Sequence, residues 1–179
     1  QQCQRTNGIV ESVLALARRE RANPEHLDLA VGVRRFVLEY RQMLSPDAGS
    51  VETLIHESSV PGLFDPRHLH QVLTALVHNA LKYGRSGDAP AQVRIHVASA
   101  GRNAVVEVTD RGPGIPDAVI TQLFRPFYTT SEHGTGLGLY IARELCHANG
   151  ARLDYLARGA ATGSCFRITL PAANALLRE

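Results

Sequence analysis

The chain has 179 residues, 44% of them apolar and 20% charged, with a formal net charge of +2, as in an ordinary globular domain. So small a net charge, with no basic run interleaved with aromatic residues, argues against a nucleic-acid partner. No apolar run approaches the roughly 20 residues that span a bilayer. The three cysteines have neither metal-ligand nor disulfide spacing, so we expect a reducing, cytoplasmic compartment.

The first predicted element is a helix over residues 4–21, with apolar residues at helical spacing on one side and arginines at its end. Its apolar stripe is expected to pack against a part of the protein outside this chain. An Asn-Pro pair ends the helix, so we divide the chain into residues 1–24 and a main domain over residues 25–179. Because the chain does not begin with methionine, we expect it to be a piece of a longer protein.

The main domain mixes helical and strand patterns. Asp28 and Asp65 are good N-caps, and Gly150 supplies a C-terminal stop. The predicted helices cover residues 29–44, 66–83, 117–124 and 134–149. The predicted strands cover residues 50–58, 91–98, 103–110, 151–157 and 164–170, after a short extended segment at 27–29. Neighbouring strands joined by tight turns predict an α+β sandwich, with helices on one face of a mixed, mainly antiparallel sheet.

One stripe of the predicted helix at 66–83 carries polar chemistry beside the apolar face. Ala75, Asn79 and Lys82 share this stripe at spacings of four and three residues. An amide oxygen can ligate a hard cation and an ammonium can contact phosphate oxygens, so the stripe is typical of a polyphosphate–magnesium site. The alternative is a solvated helix edge.

Asp110 ends a predicted strand with the parity of its buried valines, so we expect it to point toward the core. A carboxylate is rarely placed there without a partner, and a base with an exocyclic amine would provide one. Gly112 and Gly114 follow and would let the backbone approach a planar ring. The alternative is an aspartate that only caps the turn.

A polar loop precedes the glycine-rich start of the last predicted helix. Phe124, Pro126 and Phe127 lie before this loop and predict an aromatic anchor for a lid, or else a plug in the core. The run GTGLGL at 134–139 then opens a helix N-terminus, where backbone N–H groups can bind a phosphate. A flexible turn before an ordinary helix is the alternative.

Four segments together resemble the catalytic ATP-binding domain of sensor histidine kinases, in the gyrase/Hsp90/histidine kinase/MutL superfamily. They match the N box, the first glycine box, the F box and the second glycine box in order and spacing: HNALKYG at 78–84, DRGPGIP at 110–116, LFRPFYTT at 123–130 and GTGLGL at 134–139. The resemblance covers roughly residues 27–171 and implies the Bergerat α/β sandwich. Residues 4–21 resemble the end of the second helix of a dimerisation and phosphotransfer domain. The segments YTTSEHGTGLGLYIAREL and ELCHANGARLDY are most similar to the NtrB-like group, of PilS type.

The resemblance also implies roles for individual residues. Asn79 would ligate Mg²⁺, Lys82 would contact the phosphates, and both would be catalytic. Asp110 would accept a hydrogen bond from the adenine amine. The remaining implied ATP-binding residues are Tyr83, Gly112, Gly114, Ile115, Thr129, Thr130, Gly134, Thr135, Gly136, Leu137, Gly138, Leu139 and Ser164.

The implied activity is protein histidine kinase. The module would donate the γ-phosphoryl group of ATP to a histidine on its own dimerisation domain, outside this chain, for relay to a response regulator. The parent would be a homodimer and the cytoplasmic portion of a sensor, whereas this chain would be a monomer. None of the eight histidines stands in the family's phosphoacceptor setting.

Two departures keep alternatives open. Ala75 stands where many kinases have a second asparagine and the hydrolysing relatives have a glutamate, so efficient ATP hydrolysis is not expected. Ser131 stands where the family often carries a lysine toward the γ-phosphate. An anti-sigma-factor serine kinase and a degenerate module that binds protein partners without using ATP are the alternatives.

Overall fold

A five-stranded mixed sheet organises the structure, a computed structural model that describes residues 21–158 and 163–171. In the described residues the strands are β1 (Glu25–Asp28), β2 (Ser50–Leu54), β3 (Pro61–Phe64), β4 (Gln92–Ala100), β5 (Asn103–Thr109), β6 (Arg152–Tyr155) and β7 (Cys165–Pro171). The large sheet has the order β2-β4-β5-β7-β6. The β2–β4 pair is parallel and the other pairs are antiparallel. The predicted mixed, mainly antiparallel sheet is confirmed.

Alternation along the central strands gives the sheet one apolar face. Ile95 pairs with Val108, and Val97 pairs with Val106. All four of these side chains are buried, while their neighbours along the strands face the other way, as the two-residue period requires. The large helices cover the apolar face and complete one core with it.

Four α-helices are described: α1 (Leu29–Met43), α2 (Pro66–Tyr83), α3 (Asp117–Ile120) and α4 (Gly138–Ala148). The predicted caps are confirmed. Asp28 Oδ1 accepts the N–H groups of Ala30 and Val31 at 2.9 and 3.3 Å, and Asp65 accepts that of Arg67 at 2.9 Å. Gly150 follows α4 with a φ of 67°, a left-handed conformation that glycine adopts without strain.

Three predicted boundaries were wrong. The strand predicted over 50–58 ends at Leu54, and β3 was missed because Pro61 and Gly62 are poor strand residues. The helix predicted over 117–124 ends at Ile120 and continues as turns. The helix predicted from 134 begins only at Gly138, because Gly136 has a φ of 70°.

A buried polar network joins the ends of α2 and α4. Asn149, in the C-terminal cap of α4, accepts the backbone N–H of Asp65 at 2.7 Å, and its amide nitrogen lies 3.0 Å from Nδ1 of His68. Asp65 Oδ2 accepts the backbone N–H of Asn23 at 3.0 Å. Asp65, His68 and Asn149 are all buried. The chain segment that enters the domain is therefore fastened to both helices.

The remaining sequence predictions divide by whether they fall on described residues. Cys146 and Cys165 are buried and free, and burial raises the pKa of their thiols to about 12 and about 11. Within the described ranges no helix combines the length and the hydropathy needed to cross a membrane. The predicted N-terminal helix up to residue 20 and Cys3 lie outside the described residues, and the role assigned to residues 1–24 stays a prediction.

Candidate functional site

A cavity of about 920 Å³ opens between α2, the segment after β5, the loop before α4 and the start of α4. All four sequence segments that predicted a nucleotide site contribute to its wall. Of the residues predicted to bind ATP, all line the cavity except Gly112 and Leu137. The Leu137 side chain is fully buried, whereas Gly112 packs against the backbone of Tyr83 and Gly84. The structure thus brings together residues that lie up to 96 positions apart, from His70 to Phe166.

Asp110 presents a fixed carboxylate to this cavity. Its side chain is buried, and Oδ1 accepts the backbone N–H groups of Gly112 at 2.8 Å and Ser164 at 3.2 Å. A backbone bond from Asp110 to the carbonyl of Ser164, 3.1 Å long, holds the same two segments together. Among the described residues both side-chain bonds use Oδ1, so Oδ2 remains for a ligand.

Three glycines close around Asp110, and only one of them, Gly112, was predicted as a site residue. A Cβ on Gly84 would lie 2.6 Å from Cβ of Asp110, and one on Gly163 would lie 1.8 Å from its carbonyl oxygen. Gly163 also has a φ of 78°. We call Asp110, Gly84, Gly112, Gly163 and Ser164 the Asp110 cluster. The sequence signal for the two missed glycines was their position beside predicted site residues: Gly84 directly follows Tyr83, and Gly163 directly precedes Ser164.

Asn79 and Lys82 reach the cavity from the same face of α2, as their spacing predicted. Lys82 Nζ donates to Oγ of Ser131 at 2.8 Å and lies 5.3 Å from the centroid of the Tyr83 ring. Among the described residues that line the cavity, Lys82 is the only lysine or arginine. A polyanion bound there would therefore depend on this one cation and on backbone N–H groups.

The loop at residues 125–136, which we call the lid, is held by short local contacts. Ser131 donates its N–H to Oγ1 of Thr129 at 3.1 Å, and its carbonyl accepts the N–H of Gly134 at 3.1 Å. A Cβ on Gly136 would lie 2.4 Å from the carbonyl carbon of Phe127. The glycines therefore let the lid backbone pack closely on itself beside the cavity.

The predicted aromatic anchor of the lid is only partly right. Phe124 packs edge-on against Phe166, with ring centroids 6.3 Å apart, and the Arg143 guanidinium lies 5.1 Å from the centre of its ring. Phe127 is instead 61% exposed and has a φ of 64°. Its left-handed backbone turns the side chain away from the core, which the apolar residue type alone did not reveal.

His78 also lines the cavity, beside Asn79. Loss of hydration, together with the charge of Lys82 one helical turn away, lowers the pKa of its imidazole below the ordinary value of 6.5. The ring is therefore neutral at pH 7. It adds no positive charge to the site.

The oxygen donors in the cavity decide whether it can hold Mg²⁺. In the described residues no group of three or more His, Cys, Asp or Glu side chains is placed to hold a metal ion. Mg²⁺ bound with a nucleotide needs only one or two protein oxygens, because phosphates and water supply the rest. The Asn79 amide oxygen, half-buried at the cavity wall, fits that requirement.

Comparison with known proteins identifies the family. Residues 64–174 match the family described as histidine kinase-, DNA gyrase B-, and HSP90-like ATPases. The chain belongs to this family. Over 170 residues it is 42% identical to the sensor protein kinase PilS of Pseudomonas aeruginosa, an alignment that covers 94% of this chain and 32% of PilS. The chain thus spans about a third of the length of this relative.

Solved structures agree with the fold. The histidine kinase ThkA, in complex with the response regulator protein TrrA, superposes with a TM-score of 0.78 at 21% identity, covering 96% of this chain and 48% of that chain. Full-length ShkA in complex with AMPPNP superposes with a TM-score of 0.75 at 22% identity, covering 93% and 35%. The family and the sandwich fold that the four boxes predicted are confirmed.

Proposed function

We propose that this chain is the ATP-binding catalytic part of a sensor histidine kinase. It would donate the γ-phosphoryl group of ATP to a histidine on a dimerisation domain of the parent protein, for relay to an aspartate of a response regulator. The observation that carries the proposal is the convergence of four sequence segments on one cavity, which holds a buried carboxylate and the only lysine of the chain. The names of the relatives support it, since PilS is a sensor protein kinase and ThkA was solved with a response regulator.

The base of the nucleotide would bind at the Asp110 cluster. Oδ2 of Asp110 accepts a hydrogen bond from an exocyclic amine, which adenine has and which guanine lacks at the same ring position. Oδ1 is already occupied by two backbone N–H groups, so the carboxylate cannot turn away. Gly114, Ile115 and Ser164 complete the wall beside the ring.

The phosphates would bind near α2 and the lid. Lys82 donates to phosphate oxygens, and the backbone N–H groups of the glycine-rich run at the start of α4 add further donors. Mg²⁺, when bound through Asn79, neutralises phosphate charge and so favours departure of ADP. The residues of this chain position the nucleotide and neutralise charge, while the histidine of the parent's other domain supplies the nucleophile.

Transfer is favoured over hydrolysis by what lines the cavity. Asp110 is the only carboxylate among the described lining residues, and Ala75 occupies the position from which a glutamate would activate water. As the bond from the γ-phosphorus to the bridging oxygen breaks, a bond to an imidazole nitrogen forms and ADP leaves. With Ala75 at that position, no glutamate is present to activate water as in the hydrolysing relatives.

The proposal is tested by measuring the binding of a non-hydrolysable ATP analogue by titration calorimetry, with and without Mg²⁺. We expect micromolar, Mg²⁺-dependent binding. Asp110→Asn should weaken it by about 10- to 100-fold, because a charge-assisted hydrogen bond contributes about 1.5–3 kcal/mol. Asp154→Asn, a carboxylate on the edge strand β6, is the matched control and should bind normally. Absence of binding up to millimolar analogue would favour the degenerate, partner-binding module instead.

A further inference from the structure

The contact between Lys82 and Ser131 joins two parts of the site that lie 49 residues apart in sequence. Lys82 belongs to the last turn of α2, and Ser131 belongs to the lid. Ser131 does not itself line the cavity, whereas Lys82 does. The serine can therefore influence a bound nucleotide only through the lysine amine or through the lid.

Ser131 is a well-fixed acceptor. Its N–H and its carbonyl both bond to Thr129, at 3.1 and 3.3 Å, and the carbonyl also accepts the N–H of Gly134. A Cβ on Gly134 would lie 2.4 Å from Oγ1 of Thr129, so the turn admits no other residue there without moving. These bonds hold the Ser131 hydroxyl in place without any contribution from Lys82.

Lys82 needs such an acceptor. A lysine side chain loses much rotamer entropy when its amine is fixed, and the Lys82 side chain is exposed. Its ammonium group has three donors, of which Ser131 uses one. Two donors stay available for phosphate oxygens, so the serine holds the amine without competing for it.

We propose that Ser131 is a positioning residue: it fixes the Lys82 amine at the cavity and, through the same bond, fastens the lid to α2. The affinity for phosphate-bearing ligands and the order of the lid then depend on one hydrogen bond. The proposal rests on the proposed function for its nucleotide part only. The lid part can be measured without any ligand.

The first experiment compares ligands with and without phosphates on the 179-residue chain. Ser131→Ala should weaken a non-hydrolysable ATP analogue by about three- to tenfold and leave adenosine binding unchanged. Ser131→Thr, which keeps the hydroxyl, should bind like the unsubstituted 179-residue chain. In a Lys82→Ala background, Ser131→Ala should have no further effect, because the interaction is already lost.

Three results would overturn the nucleotide part. Unchanged or tighter analogue binding by Ser131→Ala would mean that the serine does not help the lysine. Equal weakening of analogue and adenosine would mean that the substitution damages the cavity as a whole. Additive effects in the Lys82→Ala background would mean that the two residues act separately.

The second experiment measures hydrogen exchange in the lid without nucleotide. Ser131→Ala and Lys82→Ala should each speed exchange of the Gly134 amide, and the double variant should exchange no faster than either one. Exchange unchanged in both single variants would overturn the lid part. If the unsubstituted chain bound no analogue but the Gly134 exchange rates changed as expected, the proposed function would fail and the fastening of the lid would stand.

Discussion

The polar groups around the cavity are held in two contrasting ways. The Asp110 cluster is buried, and its carboxylate is fixed by backbone N–H groups and by glycines that leave no room for a side chain. The Lys82–Ser131 contact is exposed and consists of one bond between two side chains. The buried cluster is built by folding alone. The exposed contact depends on that one bond, so removal of either side chain abolishes it.

The largest expected effect comes from filling the space beside Asp110. Gly163→Ala places a methyl group 1.8 Å from the Asp110 carbonyl oxygen at a φ of 78°. We expect a loss of about 2–5 kcal/mol in the free energy of unfolding, from left-handed strain and overpacking, measured by urea denaturation. Gly87→Ala is the matched control, since its φ is 61° and no atom lies within 4 Å. A similar loss in both variants would show that strain alone matters there.

A second buried carboxylate gives an effect of intermediate size. Burial of Asp65 raises its pKa, but hydrogen bonds from Asn23 and Arg67 outweigh this and lower the pKa from 3.8 to about 2. The folded state is therefore stabilised by about 2 kcal/mol above pH 4, and this contribution is lost as the pH falls from about 4 to about 2. Urea unfolding of the parent chain and Asp65→Asn should show a stability difference that shrinks over this range. A difference independent of pH would contradict the assignment.

The smallest expected effect is a difference in how salt changes ligand binding at the exposed Lys82 and at the buried Asp110 cluster. Lys82 is exposed, so raising NaCl from about 0.05 to about 0.5 M should weaken binding of an ATP analogue by about three- to tenfold through screening. Adenosine, which in the proposed binding mode contacts only the buried Asp110 cluster, should bind equally at both concentrations. Fluorescence competition titrations would measure both ligands. Equal salt sensitivity of the two ligands would remove the distinction between the regions.

The sequence predicted well whatever depends on local pattern. The caps of α1 and α2, the alternation in β4 and β5 and the stripe of Asn79 and Lys82 all follow from spacing, and the structure has them. The family followed from four motifs in one order. Local pattern fails where a poor strand former is paired by its neighbour, as in β3.

Contacts between distant segments could not be predicted from the sequence. Nothing in the residue types indicated that Gly163 would lie against Asp110, or that Ser131 would meet Lys82. Phe127 was wrongly expected to anchor the lid: its backbone is left-handed and lies against Gly136, and its side chain is exposed. Such features depend on how segments pack, which spacing within one segment does not determine.

The bond from Asn23 to Asp65 has a mechanical consequence. Asp65 is the N-cap of α2, and the same helix carries Asn79 fourteen residues further on, roughly 20 Å along its axis. A pull on the chain ahead of Asn23 therefore acts on the first turn of α2 as well as on β1, the strand that follows along the chain. Asn149 shares the load with α4, whose opposite end faces the cavity. Part of any tension at the point where the chain enters the domain is thus passed to α2 and α4, which both line the cavity.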